Sequence, residues 1–129
     1  ITDMTMPTPE QMQAAVRAYI AALNASDIDA IVALYAEDAT VEDPVGSTPQ
    51  RGLAQIRTFY SASLSMALQV VLDGEIRAVA NEAAFAFSVS LVMDGKRITI
   101  RPIDVMRFDA QGRITSMRAF FGNHNISQG

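Results

Sequence analysis

The chain has 129 residues, half of them hydrophobic and 19% charged, with a formal net charge of −4 and no cysteine. That is the composition of a folded domain, and the length suits one domain spanning residues 1–129. A disulfide framework and thiolate chemistry are excluded; no basic run exceeds Lys96-Arg97, which argues against nucleic acid, and no apolar run approaches about 18 residues, which argues against a membrane span.

The start, ITDMTMPTPE, lacks a basic segment followed by an apolar one, so the expectation is a soluble, cytoplasmic protein. Residues 9–25 are predicted helical, because Met12, Ala15, Val16, Tyr19, Ile20 and Leu23 recur at helical spacing. Thr8-Pro9-Glu10-Gln11 supplies the start signal: an N-cap, a proline at the first helical position and a Gln three residues after the cap. A second, short helix is predicted over 28–36, capped by Asp27, with Ile28, Ile31, Val32 and Tyr35 as its apolar stripe. A strand at 39–43 and the loop PVGSTPQRG lead to a third helix at about 53–64, with Leu53, Ile56, Phe59, Tyr60 and Leu64 on one face. The rest reads as strands at 68–72, 75–80, 83–93, 96–109 and 113–121, with Asp73-Gly74, Asp94-Gly95 and Ala110-Gln111-Gly112 as turns. Helices first and a meander after predict an α+β fold, three helices covering one face of a curved, mostly antiparallel sheet. Long strands wrapped against helices would enclose an apolar pocket.

Several polar groups fall where apolar ones belong. In ITIRPIDVMRFD, residues 98–109, a period of two puts Ile98, Ile100, Pro102, Asp104, Met106 and Phe108 on one face and Arg101, Arg107 and Asp109 on the other. A carboxylate on a core face is costly unless paired, hydrogen-bonded or neutral. Pro102 cannot donate to a ladder and suggests an edge or a bulge, and a bulge would reverse the parity beyond it. In ATVEDPVG, Ala39, Val41 and Asp43 share a face and Glu42 points to solvent, so Asp43 ends the apolar face; taken alone, it reads better as merely the start of an Asp-Pro turn. Tyr19, Tyr35 and Tyr60 all sit on inward stripes, where core packing with a satisfied hydroxyl is the default. His124 is the only histidine and has no cluster around it that would make a metal site.

Together these groups form a proton-transfer set. An acid at a cavity lip can act as an ionised base; an acid in an apolar wall is held neutral by desolvation and can donate; a buried phenol is a second donor. Two donors converging on one point make an oxyanion hole, and beside a base they suit proton abstraction next to a carbonyl.

The segments RAYIAALNASDIDAIVALYAEDATVEDPVGS, IRTFY, RAVANEAAFAFSVS and RPIDVMRFDAQGRITSMRAFFG, with VEDPVG and PIDVMRF the most specific, resemble the Δ5-3-ketosteroid isomerase (steroid Δ-isomerase) family. Ketosteroid isomerase is the known case of an aspartic acid kept neutral so that it donates a hydrogen bond. The resemblance implies a cone-shaped fold like that of nuclear transport factor 2 (cystatin-like), a homodimer, a small hydrophobic 3-ketosteroid as substrate, and neither cofactor nor metal. It assigns Asp43 as the base that moves a proton from carbon 4 to carbon 6, Tyr19 and a protonated Asp104 as the oxyanion hole, and Tyr35 and Tyr60 as hydrogen-bonding support. Phe59, Phe87, Val89, Met117 and Phe121 match the substrate pocket. The same cone could also house a dehydratase or cyclase, or a binder that releases its ligand unchanged. Neither needs Tyr19, Asp43 and Asp104 together.

Overall fold

The computed structural model describes residues 6–128. It opens with α1 (Pro9–Asn24) and α2 (Ile28–Ala33), and each begins at its expected cap. The Thr8 hydroxyl accepts from Gln11 N–H while the Gln11 side chain accepts from Thr8 N–H, and Asp27 accepts from Ala30 N–H. The second helix is shorter than predicted. Leu34 closes it, and the Leu34 carbonyl accepts from Ile114 N–H at 2.9 Å, so the chain is already captured by sheet pairing. Tyr35 therefore lies on β1 (Tyr35–Glu42) and not on a helix stripe. Tertiary pairing overrides the weak helical signal of a β-favouring tyrosine.

A two-residue strand β2 (Gln50–Arg51) leads into α3 (Gly52–Ser63). The remaining strands are β3 (Gln69–Leu72), β4 (Arg77–Val79), β5 (Glu82–Met93), β6 (Lys96–Ile100), β7 (Ile103–Phe108), β8 (Ile114–Phe120) and β9 (Ile126–Gln128). Their order across the sheet is β2-β1-β8-β7-β5-β6-β9, with β3 and β4 on the other edge of β5. All described pairings are antiparallel except β1 with β8.

Asp94-Gly95 turns the β5–β6 hairpin with both residues at positive φ, 53° and 77°, which suits the twist of the flanking strands. Asp73-Gly74 is not a hairpin: β3 and β4 pair with β5 and not with each other. The turn that feeds β5 is Ala80-Asn81, because Val79 stands opposite Glu82.

The strand expected at 96–109 is divided at Arg101-Pro102. β6 and β7 nonetheless lie on the same edge of β5 in one register. Val89 faces Ile100 and Ala86 faces Ile103, so each strand advances three residues across the break. Phe87 N–H donates to the Pro102 carbonyl at 3.2 Å. No residue is inserted there, and parity survives the proline. Asp104, Met106 and Phe108 are buried while Ile103 and Arg107 are exposed. The core gathers on this inner face, where Val16, Ile31, Ala39, Val41, Ile56, Met106, Ile114 and Met117 are sealed from solvent. No described helix is long and apolar enough to cross a membrane.

Candidate active site

One end of the cone is open. There, α1, α3, β5 and the β6–β7 ladder enclose a cavity of about 290 Å³, a size near the lower bound for small-molecule sites. Its length follows from the register. Asp104 stands opposite Phe85, and the lining continues outward through Phe87, Val89 and Leu91 on β5 and through Pro102 and Ile100 on the facing ladder. The six steps of strand from Phe85 to Leu91 span about 20 Å. Helix α1 runs alongside: Tyr19 packs against Phe85 with ring centroids 6.5 Å apart, and Asn24 bonds the backbone of Val70, the partner of Val89. The cavity is thus an elongated slot, apolar over most of its length.

Its polar groups crowd the inner end. Tyr19, Asp43, Tyr60 and Asp104 all line it, and Ser63 is the other polar residue of the wall. The Ser63 hydroxyl is engaged with the Phe59 carbonyl at 3.0 Å.

Asp104 is the one buried charged residue among those described, 1% exposed. Its Oδ1 is also the one buried side-chain oxygen or nitrogen among the described residues with no hydrogen-bond partner. A native fold rarely leaves such a group unpaired without a reason. Burial, reinforced by the charge of Asp43, holds the Asp104 carboxyl well above the usual carboxylate range. Burial thus favours its protonated form, which can donate a hydrogen bond.

Asp43 differs from it in every respect but chemistry. It follows the last residue of β1, on the face shared with the sealed Ala39 and Val41, and is half-buried at the cavity wall. Burial alone pushes its carboxyl up to about 6. It is therefore mainly ionised at pH 7 while being a stronger base than an exposed aspartate. Glu42 lies on the solvent side as expected, where it is tied to Arg118 Nε–H at 3.0 Å and to Gly46 N–H at 2.9 Å. Those contacts, the backbone one first, hold its carboxyl below the ordinary glutamate range.

The three tyrosines form a chain. The Tyr60 hydroxyl lies 2.9 Å from that of Tyr19 and 2.6 Å from that of Tyr35. Three hydroxyl hydrogens serve two internal bonds, so one is left over. Tyr35 does not line the cavity, whereas Tyr19 does. The polarity Tyr35 to Tyr60 to Tyr19 uses every buried hydrogen and leaves that of Tyr19 free to donate into the slot. All three phenols are raised well above their ordinary value, chiefly by burial, and stay neutral donors.

Phe59, Phe87, Val89 and Phe121 line the cavity as expected. Met117 does not. It is fully buried opposite Val41 and Met106, deeper in the closed core than Ala119 on β8 and Phe121 just after it. Leu23, one turn beyond Tyr19, and Ala119, two residues beyond Met117, are lining residues that continued periodicity would have found. His124 is exposed in a short 3-10 turn, Asn123–Asn125, and the described residues contain no group of three ligating side chains that could hold a metal ion.

Comparison with known proteins agrees with this fold. The family described as "SnoaL-like domain" matches residues 16–117. A steroid Delta-isomerase of Nocardioides simplex is 47% identical over 111 residues, covering 86% of this chain and 89% of that protein. Among solved structures, the epoxide hydrolase/cyclase-like enzyme SalBIII, of pyran ring formation in the polyether salinomycin, superposes with a TM-score of 0.86 at 28% identity, over 92% of this chain and 95% of its own. The chain therefore belongs to the SnoaL-like family, an enzyme fold of the nuclear-transport-factor-2-like kind, and is a homologue of steroid Δ-isomerase.

Proposed function

We propose that this protein moves the double bond of Δ5-3-ketosteroids to the Δ4 position. The observation that carries the reading is the pairing, at the inner end of one apolar slot, of a half-buried aspartate with a free phenol and an unpartnered buried acid. The 47% identity to a protein named for this reaction adds to it.

On this reading the flat apolar rings fill the slot and the 3-keto oxygen meets Tyr19 and Asp104. Asp43 takes a proton from carbon 4. The electron pair moves through the carbonyl, and the resulting dienolate oxygen receives hydrogen bonds from both donors. Asp43 then returns the proton to carbon 6, so the atoms of substrate and product balance without any co-reactant. A neutral Asp104 is essential to the scheme, since an ionised one would repel the oxyanion. Tyr60 and Tyr35 orient the Tyr19 hydroxyl from behind.

The test is to mix the purified protein with 5-androstene-3,17-dione and follow the ultraviolet absorbance of the conjugated enone, beside Asp43→Asn. Rapid conversion that the variant loses supports the isomerase and its base together. Steroid that binds and is recovered unchanged would overturn it in favour of a non-catalytic binder.

A further inference from the structure

The Asp43 carboxylate has no hydrogen-bond partner among the described residues, and burial alone accounts for its behaviour. Its aim must therefore come from its backbone. That backbone is the first residue of a turn, where fixed geometry is hardest to maintain.

What holds the turn lies on the outer side of the sheet. Glu42 and Arg118 are register partners across the parallel β1–β8 pair. Their side chains meet in an ion pair at 3.0 Å, and the Arg118 guanidinium sits 5.1 Å from the centre of the Phe120 ring, which fixes it from the other side. The second oxygen of Glu42 accepts from Gly46 N–H, three residues beyond Asp43. Within the span so closed, Val45 N–H donates to the Ala119 carbonyl at 2.8 Å, and just beyond it Ser47 N–H donates back to the Pro44 carbonyl at 3.0 Å. Ala119 in turn faces Asp104 across β7–β8. The clamp thus ties the turn carrying one acid to the strand beside the other.

We propose that Glu42, anchored by Arg118, is a positioning residue that closes the Asp43–Gly46 turn and fixes the aim of the Asp43 carboxylate into the cavity. Exposed ion pairs contribute little to stability as a rule. This one would act on geometry, where a displacement of about 1 Å can cost up to about a hundredfold in rate. The proposal rests on the isomerase reading above.

The experiment measures kcat and KM for 5-androstene-3,17-dione in Glu42→Ala, Glu42→Gln and Arg118→Ala, with thermal melting of each. Glu42→Ala should lose about tenfold in kcat with KM nearly unchanged. Glu42→Gln keeps an acceptor for Gly46 N–H and should recover most of the loss, and Arg118→Ala should fall between the two. An unchanged kcat in Glu42→Ala, a loss confined to KM, or a loss with no recovery in Glu42→Gln would overturn the clamp. If Glu42→Ala fails to fold, a wild-type kcat in Arg118→Ala overturns it in the same way. If the wild type leaves the steroid unconverted, the isomerase reading falls by itself. The clamp is then judged on amide exchange at Val45, which Glu42→Ala should accelerate and which, if unchanged, removes the proposal.

Discussion

The two acids of the cavity are the same residue in two kinds of place. Asp104 stands on β7, flanked on both sides by β5 and β8, sealed and without a partner for Oδ1. Asp43 stands where β1 gives way to a turn, half-buried, with water within reach. On the proposed mechanism, a central strand fixes a side chain and strips its solvent, which suits a donor that must stay neutral, and a strand end leaves some solvation and some freedom, which suits a base that must ionise and then carry a proton between two carbons. Environment divides the labour, and the sharpest experiments trade one environment or one protonation state for another.

The largest effect should come from Asp43→Asn, which leaves the shape and removes the proton acceptor. Turnover should fall by about 10⁴-fold, the upper range for general-base removal, with steroid affinity retained in a binding titration. Asp104→Ala removes a donor and opens a void, and should cost about 10²–10³ in kcat. Asp104→Asn keeps a donor at the same position and should lose less; equal losses in the two variants would count against hydrogen donation by Asp104.

The contrast can also be read through pH. With the Asp43 carboxyl pushed up to about 6, kcat/KM should decline about tenfold per unit as pH drops below that value, and stay level above it. A profile level down to pH 4.5 would remove Asp43 as the titrating base. Stability runs the other way. Asp104 keeps its proton in the folded state, whereas the unfolded chain releases it above about 3.9, so its contribution is most favourable below that pH and declines as pH rises toward the raised folded value. Asp104→Asn never ionises. Its unfolding free energy relative to wild type should therefore grow between pH 5 and pH 8, by up to about 1.4 kcal/mol per pH unit, in urea titrations at the two values. The smallest expected change is that of Tyr35→Phe, which removes one hydrogen bond from the far end of the phenol chain. A loss of about two- to tenfold in kcat is expected, and a loss as large as that of Asp104→Ala would mean that Tyr35 does more than orient Tyr60.

Much of this contrast was legible in the amino-acid order. A period of two put Asp104 and Asp43 on inward faces, and a period of 3.6 put Tyr19 and Tyr60 on theirs, because periodicity reports which side of an element faces the core. What it does not report is which elements meet. Helical spacing puts Tyr35 on a helix because nothing local announces that Ile114 will capture Leu34 and draw the next residue into a strand. Asp73-Gly74 has hairpin chemistry, yet β3 and β4 are each claimed by the longer β5. Strands β2 and β9 are two and three residues long and exist only through their partners. Met117 shares the inward face of Ala119 and Phe121, but only the depth at which the cone closes separates core from cavity. The clamp at Glu42 joins residues 76 apart in sequence and could not be seen without the fold.

The unbroken register across Arg101-Pro102 sets different tolerances for length change along one stretch of chain. An extra residue at the Asp94-Gly95 tip would lengthen a loop and leave both strands facing as they do. The same insertion between Ile100 and Ile103 would rotate everything after it by one place. Ile103 would take the place of Asp104 in the slot, Asp104 would turn to the outer face, and Arg107 would press into the core. In descendants of this sequence, length variation should therefore collect at the hairpin tip, while the proline corner five residues away keeps its spacing. For an engineer the tip is where a tag or a graft can go, and the corner is where a single codon would erase the chemistry.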